Sequence, residues 1–466
     1  MILHPISTKA LALTRLLLSA ITITVPIASA TEPACLEGQT RVVFIGDSIT
    51  GQGGGWPQAG YVHRIREALS AVSPDSKPDL VPLGGSGMGV GAWLGLAKKE
   101  DQQKHELDVK GIKVSAVLSQ PADVMVLMLG MNDVLAPYVN DTDASLDQWL
   151  ANYRELIGLL RARLKPKVIE LATITPQTED PETPKNRVMA RMNQRIMALA
   201  AELKARVLPT NPIYWEVLAQ GRKAQADFSL ANDRIHPNEV GHVAVAIGLL
   251  KGLGEDKAAA WLREERLAKS LSRLKPSAAP APPPPWKVAS GLVLRGWQDN
   301  PADADLAPTP IDLAIENQED FCKAPAKDGG VPLTWRLFQS NINLTDGANP
   351  GSVDFAGITF GQNFEAGYGA RWIRAAATRH LKLNLKSSGV GSMIHLTVWL
   401  NGQRLYSDLI TREPKRQTSR EVELHQGWNV LAFKSCHRAW QWQQTIMLTE
   451  MDGSVPQGLE YRAEAP

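Results

Sequence analysis

Between residues 41 and 250 the hydrophobic pattern alternates between two periods. The runs RVVFIG (41–46), DLVPLGG (79–85), DVMVLMLG (123–130) and KVIELATIT (167–175) are almost continuously apolar, as strands must be when both faces of their sheet are covered. The intervening segments GYVHRIREALSAV (60–72), LDQWLANYRELIGLLRARL (146–164) and NRVMARMNQRIMALAAELKA (186–205) repeat apolar positions at helical spacing, so that each offers one face to a core. Strand and helix alternation of this kind predicts an α/β domain on an open, doubly wound, mostly parallel sheet.

A charged amphipathic pattern over 255–274 adds one more helix, and KPSAAPAPPPPW (275–286) follows it. Proline there removes amide donors and fixes an extended geometry, so the segment reads as a linker. Beyond it the period becomes two. HLKLNLK (380–386) alternates, HLTVWLNGQRLY (395–406) is two strands around an Asn401-Gly402 hairpin turn, and EVELHQGWNVLAFKS (421–435) is a second strand pair around a turn. This half predicts an all-β sandwich of jelly-roll kind. The chain therefore divides into a leader (1–30), an α/β domain (38–274), a Pro/Ala linker (275–286) and a sandwich (287–466).

The leader is a secretory signal peptide by its pattern: Lys9 and Arg15 precede LLLSAITITVPIASA, which ends in Ala28-Ser29-Ala30, an A-x-A cleavage site. Its uninterrupted apolar run is shorter than the roughly 20 residues of a membrane span, so the sequence predicts an exported protein, secreted or periplasmic, with no membrane span after cleavage. Lys9 and Arg15 are the charged residues of the leader, and without them 48 basic and 48 acidic residues remain. That balance supplies no basic stripe for nucleic acid. Hydrophobic residues at 44% and charged residues at 21% are those of a folded globular chain. The three cysteines, Cys35, Cys322 and Cys436, are far apart and make no C-x-x-C spacing. Export permits a disulfide, for which Cys322 with Cys436 is the pair to test; two buried thiols fit the sequence equally well.

Chemistry is sought at the carboxyl ends of the strands, where open α/β sheets bind ligands. Three apolar runs end in FIGDSITGQGGG at Ser48, PLGGSG at Gly87 and MLGMND at Asn132, and NDRIHPNEVGH supplies Asp233 and His236 before the final apolar helix. Nucleophilic ester hydrolysis needs a hydroxyl, a base, a group that orients the base, and donors for an oxyanion. These four segments contain them all. An Asp and a His three residues apart on one turn lie side by side, so the carboxylate holds the imidazole in its useful tautomer.

In these blocks the sequence resembles the SGNH hydrolases, the GDSL esterase and lipase superfamily, over about residues 40 to 250. Gly46-Asp47-Ser48, Gly87, Gly130-Met131-Asn132-Asp133 and Asp233-Arg234-Ile235-His236 stand in the family's order. The resemblance implies a flavodoxin-like fold with Ser48 as nucleophile, His236 as general base and acid, and Asp233 as its partner. It also implies an oxyanion hole from the backbone N–H groups of Ser48 and Gly87 and the Asn132 amide, with no metal and no organic cofactor. The family carries an asparagine five residues before its second-block glycine; here Pro82 stands there, followed by Gly84, Gly85, Gly87 and Gly89. The register of that glycine is thus open, with Gly87 the choice. Ser48 does not lie in G-x-S-x-G, so the nucleophile elbow of the α/β-hydrolases is not supported.

The expected activity is removal of acetyl or another short acyl group from a carbohydrate, the substrate being a small ester or an acylated polysaccharide. A lipase, lysophospholipase or thioesterase of the same superfamily is the nearest alternative. A non-catalytic carbohydrate-binding surface protein is the rival from another class. Eight of the thirteen tryptophans lie from Trp286 to Trp442; exposed they would stack on sugars, giving carbohydrate binding by the second domain, and buried they would fill its core. Asp47 and Asp133 read as acceptors that fix loops, His242 as structural, His63 as an exposed helix residue, and Trp56 and Trp93 as pocket walls or core. Gly53-Gly54-Gly55 reads as a flexible segment or a close approach to substrate rather than a phosphate cradle.

Overall fold

The computed structural model describes residue 36 and residues 41–53, 60–98, 108–109, 112–135, 139–231, 235–276, 286–293, 327–328, 331–332, 336–338, 352–354, 365–388, 394–409, 417–437, 443–464 and 466. The leader, most of the linker, Trp56, Cys35, Cys322 and Asp233 lie outside them.

The first half runs β1 (Arg41–Gly46), α1 (Ser48–Gly53), α2 (Tyr61–Val72), β2 (Asp79–Gly84), α3 (Val90–Lys98), a short ribbon of β3 (Asp108–Val109) and β4 (Ile112–Lys113), α4 (Val114–Leu118), β5 (Val124–Met128), α5 (Met131–Leu135), α6 (Asp143–Leu164), β6 (Val168–Ala172), α7 (Pro184–Leu203), β7 (Arg206–Leu208), α8 (Thr210–Ala224), α9 (Glu239–Leu253) and α10 (Asp256–Leu262), which continues through a π-helical turn into α11 (Lys269–Leu271). The four apolar runs become β1, β2, β5 and β6, all fully parallel in the order β2-β1-β5-β6-β7. Val42, Val43, Phe44 and Ile45 of β1 and all of β5 are buried, as strands covered on both faces require. Helices α2, α8, α9 and α10 pack together as one layer, and α3, α4, α5, α6 and α7 as the other. The chain leaves β1 for β2 on one side and returns to β5 on the other. The crevice beyond the carboxyl ends of β1 and β5 is therefore the topological switch point.

The second half is a β-sandwich. Its strands are β8 (Trp286–Val293), β9 (Lys327–Asp328), β10 (Val331–Pro332), β11 (Arg336–Phe338), β12 (Ser352–Asp354), β13 (Glu365–Ala375), β14 (Arg379–Ser388), β15 (Ile394–Leu400), β16 (Gln403–Leu409), β17 (Gln417–Leu424), β18 (Gly427–His437), β19 (Gln443–Thr449) and β20 (Leu459–Arg462). One antiparallel sheet has the order β11-β8-β13-β18-β15-β16 with β20 beside β13, the other β12-β19-β14-β17. Leu381, Leu383 and Leu385 from the second meet Ile373, Leu396, Val398 and Phe433 from the first, which is the period-two pattern put to use. Arg371 links the sheets: its guanidinium lies 3.9 Å over Trp286 and donates to the Ile446 carbonyl at 2.7 Å. Burial lowers this guanidinium to about 10.

The Asn401-Gly402 hairpin forms as expected, both residues having positive φ, 53° and 77°. The second expected strand pair is corrected: β17 pairs with β14, whereas β18 pairs with β13 and β15. Its turn carries the chain from one sheet to the other, a distinction that alternation of side chains does not encode. Trp286, Trp372 and Trp399 are buried and Trp428 is half-buried against the Arg462 guanidinium. Among the described residues no helix is long and apolar enough to cross a membrane.

One close approach braces the switch point. A Cβ on Gly84 would lie 2.1 Å from the Gly51 nitrogen and 2.4 Å from the Asp47 carbonyl oxygen. Gly84→Ala is expected to cost about 1–3 kcal/mol in urea unfolding. Gly95→Ala, on exposed α3 surface with nothing near its Cβ, is expected to gain about 0.5–1 kcal/mol. Equal midpoints for the two variants would contradict this packing.

Candidate active site

Three strand ends and one helix-entry loop converge on the switch point. Directly after β1, Asp47 is buried and its carboxylate accepts the Ile49 N–H at 2.9 Å, while the Asp47 carbonyl accepts the Gly51 N–H at 2.9 Å. This local closure turns the chain sharply from strand into α1 and presents Ser48 at the turn, half-buried. Thr50, one turn along, accepts the Tyr61 hydroxyl at 2.8 Å in the core. Trp93 donates its indole N–H to the Gly46 carbonyl at 2.9 Å and is fully buried, so it belongs to the core beneath the turn and not to a pocket wall.

After β2 the chain makes a tight turn in which Gly87 has φ 73° and is exposed. The Gly85 N–H is spent on the Gly46 carbonyl at 3.1 Å, and Gly84 is paired within the sheet. Among the described residues, no acceptor takes the Gly87 N–H. After β5, Asn132 stands in the first turn of α5, half-buried, with its amide donating to the Met88 carbonyl at 3.2 Å. That bond ties the third block to the second. Asp133, beside it, is buried and receives the Val90 N–H on both carboxylate oxygens, at 3.1 and 3.0 Å.

His236 comes from the loop before α9. Asn238 caps that helix by accepting the Gly241 N–H at 2.9 Å. The same asparagine donates to the Ser229 carbonyl at 2.8 Å, and an isolated bridge joins Ala231 to Pro237. Closed in this way at its base, the loop puts His236 Nε2 2.8 Å from Ser48 Oγ, across 188 residues of sequence. The structure thus brings Ser48 and His236 together and joins Asn132 to the Gly87 turn; Asp233 lies outside the described residues. His242 is buried beside Tyr61, with ring centroids 6.3 Å apart, and His63 is part-exposed on α2. Among the described residues no group of three or more His, Cys, Asp or Glu is placed to hold a metal ion.

With this geometry in hand the chain can be set beside known proteins. The profile of the GDSL-like lipase/acylhydrolase family matches residues 44–244. The domain belongs to this family. Its coarse activity follows: it is a GDSL esterase, a carboxylic ester hydrolase. An acetylxylan esterase of Geobacillus stearothermophilus is 27% identical over 238 residues, which are 48% of this chain and 96% of that protein. A solved structure of an acetyl xylan esterase from the same organism has 26% identity and a TM-score of 0.35, over 46% of this chain and 94% of that one. An alpha/beta hydrolase from the metagenome of Lake Arreo, Spain, has 22% identity and a TM-score of 0.35, over 46% and 95%.

Two buried carboxyls, Asp47 and Asp133, stand next in sequence to Ser48 and Asn132. Burial pushes Asp47 up from 3.8 to about 6, against the Ile49 N–H and the nearby His236, which lower it, and with Asp133 raising it further. Burial likewise pushes Asp133 to about 6 against its backbone donors. Each binds its proton more tightly folded than unfolded, so the stability it contributes is complete below about pH 4 and is lost as pH rises through 6. Asp47→Asn keeps an oxygen for the Ile49 N–H. Its stability relative to the parent, from urea unfolding, is expected to improve by about 1–3 kcal/mol between pH 4 and pH 7; a difference independent of pH would contradict this.

Proposed function

We propose that the chain is an exported serine esterase that removes acetyl or another short acyl group from carbohydrate, with Ser48 as nucleophile and His236 as general base. The observation that carries this reading is the 2.8 Å contact between Ser48 Oγ and His236 Nε2. For Nε2 to accept the hydroxyl proton, Nδ1 must hold the ring's own proton, and a carboxylate beside Nδ1 fixes that tautomer. Asp233, by its D-x-x-H spacing, is assigned that place.

As Oγ bonds the ester carbonyl carbon, its proton passes to Nε2, and the alcohol leaves with that proton. Water then adds its hydroxyl to the acyl carbon and its proton to Nε2, after which the acid departs and Ser48 recovers its hydrogen. The tetrahedral oxyanion is assigned to the Ser48 and Gly87 N–H groups and to the Asn132 amide. Two facts support this assignment: the Gly87 N–H has no other acceptor among the described residues, and Met88 anchors the Asn132 amide, whose second N–H is left for substrate.

The carbohydrate ester rests on the acetylxylan esterase relative together with the export pattern of the leader. Export itself places the mature chain in the periplasm or outside the cell. Chromogenic acetyl, butyryl and octanoyl esters test the whole reading. Cleavage is expected to be fastest for acetyl, lost in Ser48→Ala, and reduced roughly 100- to 1000-fold in turnover in Asn132→Ala. Preference for octanoyl would replace the carbohydrate with a lipid substrate, and undiminished cleavage by Ser48→Ala would remove Ser48 from the chemistry.

A further inference from the structure

Beyond the strands that carry Ser48, Gly87 and Asn132, a fourth strand, β6, runs parallel beside β5 and ends on the same edge of the sheet. The segment after β6 carries Thr173, Thr175, Gln177, Thr178 and Glu179, all buried although polar. Its backbone is pinned by two asparagines of α7. Asn193 accepts the Ile174 N–H at 2.7 Å and donates to the Ile174 carbonyl at 3.2 Å. Asn186 accepts the Gln177 N–H at 2.8 Å and donates to the carbonyls of Thr178, at 2.8 Å, and Asp180, at 2.6 Å. The segment is therefore a rigid mount, and what it mounts is Glu179.

Glu179 is 5% exposed, and its carboxylate reaches about 50 residues ahead in sequence. One oxygen accepts the Leu230 N–H at 2.6 Å and the Ser229 hydroxyl at 3.0 Å, and the other accepts the Arg222 guanidinium at 2.9 Å. Arg222 also donates to the backbone carbonyls of Glu179 and Phe228, each at 3.2 Å. A buried carboxylate held by three donors is costly to displace, because any donor lost leaves charge unsolvated. Burial pushes this carboxyl up, and Leu230, Arg222 and Ser229 pull it back.

Ser229, Leu230 and Ala231 form one side of the base of the histidine loop. The Leu230 carbonyl accepts the Asn238 N–H at 2.7 Å, the Ser229 carbonyl accepts the Asn238 amide, and Ala231 bridges Pro237. Whatever fixes 229–231 thus fixes Pro237 and Asn238, and with them His236. We infer that Glu179 is a positioning residue for catalysis, its carboxylate clamping the base of the histidine loop so that His236 Nε2 stays within hydrogen-bonding distance of Ser48 Oγ. The inference rests on the esterase reading above. Because small displacements of a base cost rate and not ground-state affinity, the effect falls on kcat.

The experiment is steady-state hydrolysis of a chromogenic acetyl ester by the full chain, by Glu179→Gln, by Ser229→Ala and by the double variant, each checked for folding by circular dichroism. Glu179→Gln is expected to lower kcat about 10- to 100-fold with KM within about twofold of the parent. Ser229→Ala is expected to lower kcat several-fold, and the double variant to fall no further than Glu179→Gln alone, the mark of two groups acting through one contact. A folded Glu179→Gln with parental kcat, or with KM alone raised, overturns the assignment while leaving the esterase reading intact. If Glu179→Gln does not fold, Ser229→Ala decides, and a parental kcat there overturns it. A parent protein that cleaves no ester overturns both the reading and the assignment.

Discussion

The hydrogen bond between Ser48 Oγ and His236 Nε2 has its two ends in different halves of the α/β domain, and neither end is held by a regular element of any length. Ser48 opens a six-residue helix, fixed by the Asp47 acceptors behind it and by Thr50 against Tyr61. His236 lies in a loop whose base is sewn shut by Asn238, Ala231 and Pro237. The parallel sheet supplies the frame, since the strand order β2-β1-β5 opens a crevice that helices on both faces cannot fill. Packing decides position here to a fraction of an ångström, as the contact between Gly84 and the Ser48 turn illustrates.

The same crowding sets the electrostatics. Asp47 and Asp133 each accept backbone N–H groups and, among the described residues, face no cationic side chain in a hydrogen bond, so burial dominates and raises both carboxyls to about 6. Asp47 lies near enough to His236 that the imidazole lowers its pKa against the burial that raises it.

The four apolar strands and the helices between them were legible because burial on both faces writes itself into sequence as uninterrupted Val, Ile, Leu and Met. β7 was not, being three residues with Arg206 and Val207 only part-buried. Ser48, Asn132 and His236 were legible because they end such runs or fall in a spaced block, and resemblance supplied their order. Glu179 was not, since PQTEDPET reads as a solvated acidic loop and its partners at 222 and 229–230 are distant in sequence. In the sandwich, alternation predicted β14 to β18, but not that the turn at 425–426 changes sheets, because a hairpin and an arch share the same alternation.

The central claim is that one hydroxyl among the many on this chain is a nucleophile, and the most direct measurement is where an electrophile lands. Incubation with a fluorophosphonate, followed by intact mass and peptide mapping, is predicted to give one adduct per chain, on Ser48. An adduct on a different residue, or none under conditions where ester is hydrolysed, would contradict the account.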